Sequence, residues 1–137
     1  MIVDVPTQTI GKLNISNSTS ITLRPSNVGN RSLTIGAVAS DALTIDSGSS
    51  LTIKGFDDST DRTLTLSLAS TTGVEANISG TLKIALDNNV ITAAGIFNKG
   101  SLAVVYFNNG SIYEHAIPSG TIPSAIWDDG STCLITG

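Results

Sequence analysis

Apolar and polar residues alternate in short bursts along the chain, and the bursts share one form: two aliphatic residues with a polar one between them. Leu13-Asn14-Ile15, Leu33-Thr34-Ile35, Leu43-Thr44-Ile45, Leu51-Thr52-Ile53, Leu64-Thr65-Leu66 and Leu82-Lys83-Ile84 are clear copies, and Ile21-Thr22-Leu23 and Ala76-Asn77-Ile78 are looser ones. In an extended backbone successive side chains point to opposite faces, so each triplet buries two aliphatics and leaves one polar group in water. Ser, Asn, Gly and Asp fill the intervals, and these are the residues of turns. The pattern predicts short strands joined by corners.

The spacing of the bursts adds a second period. Leu13, Ile21 and Leu33 are followed by Leu43, Leu51 and Leu64, each about 30 residues further on. A third round starts near Ala76 and continues with Leu82. A fourth runs through Leu102-Ala103-Val104 and Ile112-Tyr113, each preceded by an Asn-x-Gly-Ser turn (Asn98 to Ser101, Asn108 to Ser111). Three strands per round, repeated at a fixed offset, is the logic of a solenoid, in which stacking aligns aliphatics that no single round could bury alone. The expected fold is therefore all-β: a short parallel, right-handed β-helix of about four coils with an irregular C-terminal cap. Residues 1–137 make a single domain, with coils over 12–115 and the cap over 116–137. Pro118 and Pro123 make residues 116–137 a poor continuation of the ladder. A β-sandwich also suits short strands at this spacing but gives no reason for the coil-length offset to recur.

Composition agrees with strands and turns. Ser and Thr number 18 and 17 of 137 residues, while aromatics are 4%. Charged residues are only 13% of the chain and the formal net charge is −4, with seven basic residues spread from Lys12 to Lys99. That spread argues against nucleic acid or an anionic membrane as partner, since both select clustered Lys and Arg. No stretch approaches the roughly 20 apolar residues of a membrane span. No signal peptide is visible at the start, where Met1 reads as an initiator added in front of a fragment.

Candidate chemistry is sparse. Asp57, Asp58 and Asp61 lie close enough in one loop to share a calcium ion, but the loop lacks the glycine and distal glutamate of an EF-hand, and a solvated corner between two strands is the favoured reading. Asp128-Asp129-Gly130 reads as a turn. No other cofactor is expected. Tyr113 and Trp127 are candidates for stacking on a sugar ring, the alternative being that the aromatics plug one end of the solenoid. A Cys133–His115 nucleophile pair has no supporting motif, although each residue occurs once. Glu75 and Glu114 fall in different coils, which does not suit a glycosidase pair. Five Asn-x-Ser/Thr sequons, at Asn14, Asn17, Asn30, Asn77 and Asn109, are what chance yields at this Ser and Thr content.

The tail Gly120-Thr121-Ile122-Pro123-Ser124-Ala125-Ile126-Trp127, closing with Ser131-Thr132-Cys133-Leu134-Ile135-Thr136-Gly137, resembles a segment of very large secreted or surface proteins of Bacteroidetes bacteria, and Thr7-Gln8-Thr9-Ile10-Gly11-Lys12-Leu13-Asn14-Ile15 is similar to their repetitive β-strand region. The resemblance implies an extracellular, non-catalytic, repeat-rich piece of a larger polypeptide, and brings no catalytic residues. The chain departs from that pattern in stopping just after the tail. The expected function is a structural or adhesive module, secreted or at the cell surface. Expected partners are neighbouring domains of its parent polypeptide, further copies met through the coil ends, or glycans. A carbohydrate-binding module is the alternative, and a polysaccharide-processing β-helix enzyme a more distant one.

Overall fold

The computed structural model describes residues 1–26, 28–36 and 41–137. The chain winds through β1 (Ile2–Val5), β2 (Gln8–Ile10) and β3 (Leu13–Ile15), then β4 (Ser20–Pro25), β5 (Arg31–Ile35) and β6 (Leu43–Ile45). It continues with β7 (Ser50–Lys54), β8 (Leu64–Leu68) and β9 (Glu75–Ile78), then β10 (Thr81–Asp87), β11 (Val90–Asn98) and β12 (Val104–Phe107). It closes with β13 (Ile112–Ala116), β14 (Ile126–Trp127) and β15 (Thr132–Ile135). Every third strand as far as β13 pairs in parallel, and β14 and β15 pair in parallel with β12 and β13, which gives three faces. The first is β1-β4-β7-β10-β13-β15, the second β2-β5-β8-β11 and the third β3-β6-β9-β12-β14. The protein is an all-β parallel solenoid.

Register along the first face fixes the coil length. Ile2 pairs with Thr22, Ser20 with Ser50, Ser50 with Thr81, Thr81 with Ile112 and Ile112 with Thr132, which are steps of 20, 30, 31, 31 and 20 residues. Three full coils thus stand between two shortened ones.

The interior is built from columns of the triplet aliphatics. Leu13 stacks on Leu43, and Ile15, Ile45 and Ile78 follow one another with Phe107 and Trp127 above them. Ile21, Leu51, Leu82 and Tyr113 form a second column, and Leu33, Leu66 and Phe97 a third. Leu43, Ile45, Leu51, Ile53, Leu66, Ile78 and Leu82 have no solvent exposure. Each such side chain contributes about 1.5–3 kcal/mol through the apolar surface it removes from water. The polar centres of the triplets alternate outward, as expected for period two.

One corner repeats as a four-residue turn between the third and first faces. The amide of Thr19 donates to Ser16 O, Ser49 to Asp46 O, Ser111 to Asn108 O and Ser131 to Asp128 O, at 2.9–3.2 Å. The third turn position has positive φ each time: Ser18 at 55°, Gly48 at 77°, Gly110 at 78° and Gly130 at 85°. Glycine reaches this conformation without a Cβ clash, so Asp128-Asp129-Gly130 is a turn of this series.

Three details differ from the sequence reading. The fourth-round strand begins at Val104 rather than Leu102, which is 55% exposed while Ala103 and Val105 face inward. Residues 116–137 do not leave the ladder altogether, because β14 and β15 continue the third and first faces in parallel. The prolines act only on 117–125, which carries no strand and leaves the second face one strand short. Lastly, β10 runs past its parallel partner and folds back on β11 as an antiparallel hairpin, with Leu86 opposite Ala94 and Asp87 opposite Val90.

Candidate functional site

The corner between the first and second faces holds the long connection from β7 to β8, residues 55–63, and charged side chains gather around it. Phe56 and Arg62 form an antiparallel bridge at the neck of the loop that holds Asp57, Asp58 and Asp61. The Phe56 ring lies between two guanidiniums, with Arg24 at 4.4 Å and Arg62 at 4.7 Å from its centroid, an arrangement that favours cations over the ring face. Arg24 also donates to Asp4 at 2.5 Å, and that hydrogen bond holds the Asp4 carboxyl below its usual range.

The three aspartates read as a calcium candidate each face a different protein donor. Asp57 accepts from the Asn88 side chain at 3.2 Å, Asp58 from the Thr60 amide at 2.9 Å and from Arg62, and Asp61 from the Thr92 hydroxyl. The Thr60 N–H, and after it the Arg62 guanidinium, lower the Asp58 pKa. Among the described residues no three His, Cys, Asp or Glu side chains converge as a metal-holding group. The hairpin supplies a fourth carboxylate, Asp87, which accepts from the Asp57 amide at 2.9 Å and from Lys54 at 2.6 Å. Burial pushes the Asp87 carboxyl up, but the Lys54 hydrogen bond and the Asp57 N–H outweigh it and hold the group below its ordinary value.

Cations dispersed in sequence are stacked by the fold. Arg24, Lys54 and Lys83 line one shallow groove of about 320 Å³ on the first face. Each is matched by an acid, namely Asp4, Asp87 and Glu114, so the groove carries paired charges and no field of one sign.

Tyr113 and Trp127 do meet, inside the C-terminal end of the interior. Trp127 stacks on Phe107 with centroids 4.2 Å apart and planes 10° from parallel, and Tyr113 meets both rings edge-on at 5.7 and 6.2 Å. Tyr113 is fully buried and offers no face to a sugar in solution, unlike the stacking-platform expectation. The reason is register: Tyr113 continues the Ile21-Leu51-Leu82 column and Trp127 the Ile15-Ile45-Ile78-Phe107 column. Burial raises the Tyr113 phenol to about 12. Its hydroxyl lies 3.2 Å from His115 Nδ1, and His115 Nε2 lies 3.1 Å from Ser119 O. His115 thereby spends both ring nitrogens on the end plug, and Cys133 pairs in register with Tyr113 instead.

A further groove lies where the second face is a strand short. It encloses about 520 Å³ between Ile96, Phe97, Asn98 and Lys99 on one wall and Thr121, Ile122, Pro123 and Ser124 on the other. An adjoining cleft of about 300 Å³ shares Ile96, Phe97 and Thr121 and extends toward Ile91 and Ile117. In the 520 Å³ groove the Lys99 ammonium donates to Gly100 O at 3.1 Å and Ala103 O at 2.9 Å. Gly95 lets β11 pass over the first face, since a Cβ there would stand 2.0 Å from Ile53 O. Sequence reasoning missed this groove and Lys99. The spaced prolines Pro118 and Pro123 were the only signal of it. No family model, characterised protein or solved structure matches the chain.

Proposed function

We propose that the chain is a non-catalytic structural or adhesive module of a secreted or surface repeat protein, of the kind its tail resembles, acting as a stiff spacer and contact surface. One observation carries the reading: the stacked coils are filled with aliphatics, and the charged groups of the first-face groove are committed to links between coils. Asp4–Arg24, Lys54–Asp87 and Lys83–Glu114 each join one turn of the chain to another. Glu75 and Glu114 lie on different faces, and no hydrogen bond between Cys133 and His115 occurs among the described residues. Contacts are carried by the end coils and the grooves, toward neighbouring domains, further copies or other macromolecules. The test is a glycan array with and without calcium, run beside substrate-depletion assays on acidic and neutral polysaccharides. The reading expects neither sugar binding nor turnover. Turnover abolished by replacing a single carboxylate overturns it.

A further inference from the structure

We propose that the gap in the second face is a docking slot for an extended peptide strand, which pairs in parallel along the free edge of β11 and places a carboxylate at Lys99. The topology makes the slot. Past the fourth circuit the first face gains β13 and β15 and the third gains β14, whereas the second face stops at β11. β10 pairs with the first half of β11, up to Ala94, and β8 takes one edge of the rest, with Gly95 to Asn98 opposite Leu64 to Ser67, so the open edge is that of Gly95 to Asn98. Residues 117–125 pass the vacant position, yet among the described residues no backbone hydrogen bond joins them to β11. Pro118 and Pro123 supply a reason, since neither has an N–H to give a ladder. An open edge of this kind accepts a strand from another molecule, with main-chain bonds for affinity and alternate side chains for specificity.

The walls define the occupant. Phe97 faces the interior at 9% exposure, while Ile96 and Ile122 stand 42% and 48% exposed on the groove. Apolar side chains on alternate positions of a strand would cover them. Lys99 is the only Lys, Arg, Asp or Glu lining either cleft, and no carboxylate pairs with it among the described residues. Two carbonyls hold its ammonium in place, leaving its charge uncompensated at the C-terminal end of β11. A bound strand with its own C-terminal carboxylate at that end runs parallel to β11, as every other strand on this face does. Ammonium–carboxylate hydrogen bonds are stronger than neutral ones, so the charge sets the direction.

This proposal rests on the adhesive reading and names the partner chemistry it leaves open. The probe is the pentapeptide Leu-Thr-Leu-Ser-Leu, the sequence of β8, labelled at its N-terminus with a free C-terminal carboxylate and followed by fluorescence anisotropy against the full chain. Saturable binding is expected, weakened about tenfold by C-terminal amidation or by Lys99→Gln and restored by Lys99→Arg, since a tenfold change matches the worth of one charged hydrogen bond. N-methylation of one alternate set of peptide amides abolishes binding and methylation of the other set leaves it intact, because only one edge of the peptide meets β11. Absence of saturable binding at millimolar peptide, equal affinity for acid and amide, or equal loss from both methylation sets overturns the proposal. Far-ultraviolet dichroism of each variant separates a lost slot from a lost fold. Failure with an intact solenoid removes peptide capture alone, because the glycan and turnover assays judge the scaffold reading separately.

Discussion

Asp87 sits at the base of the hairpin turn, 7% exposed, and joins three segments at once: its own strand, the Asp57 loop and Lys54 of the preceding coil. Replacing it with Asn keeps the shape and removes the charge that both donors answer. The expected cost is about 1–3 kcal/mol at neutral pH, the usual worth of hydrogen bonds to a charged group, read from urea midpoints. The sign of the pH dependence follows from the depressed carboxyl of the folded state. A group lowered on folding stabilises above its unfolded value of about 4, and that contribution disappears as the pH falls through the lower folded value. The difference between Asp87→Asn and the parent should therefore shrink as the pH falls below about 4. A gap that stays constant down to pH 2 would show that the carboxylate charge plays no part.

At the scale of elements, the hairpin of β10 and β11 turns on Asn88 and Asn89, whose φ angles are 47° and 62°. Both lie in the left-handed region, which asparagine tolerates and β-branched residues resist. Asn89→Val should lower stability by about 1–2 kcal/mol and Asn89→Gly should leave it level or slightly raised, as thermal melts can show. The hairpin was legible only in its Asn-Asn pair, which the aliphatic period hides because Val90 and Ile91 follow with no polar residue between them. The strands with the Leu-Thr-Ile form were readable because period two and the coil offset agree at Leu13 and Leu43, and at Ile21 and Leu51, which the structure stacks directly. The groove beside β11 was not, since it depends on where residues 117–125 travel once their prolines bar the ladder, and no local pattern encodes that path. The end plug was legible as one of two readings of Tyr113 and Trp127, and the register that sets Trp127 on Phe107 is what selects it.

In the molecule as a whole, each coil is held only by the coils next to it, so position in the stack sets the worth of a residue. Leu51 has Ile21 on one side and Leu82 on the other and no exposure. Leu51→Ala should cost about 2–5 kcal/mol in chemical denaturation, more than the same change at the partly exposed Leu13 of the first coil. The end coils pose the opposite problem. Ile2, Thr22, Thr52, Lys83, Glu114 and Leu134 occupy one outward column of the first face, polar throughout its middle and apolar at its two ends. Ile2 is 62% and Leu134 43% exposed, and β15 carries no charge to keep another strand away. The charge nearest the other end, Asp4, is already taken by Arg24. Open edges with apolar flanks and no unpaired side-chain charge favour strand addition, and a head-to-tail contact of unlike ends does not close on itself. Light scattering should therefore give an average mass that climbs with concentration without reaching a plateau, and it should be little affected by salt because no ion pair is involved. Leu134→Lys should hold the chain monomeric while moving its melting temperature little, since the side chain lies outside the hydrophobic core. A mass that stays that of one chain across the whole concentration range would mean that these ends repel strands despite their composition.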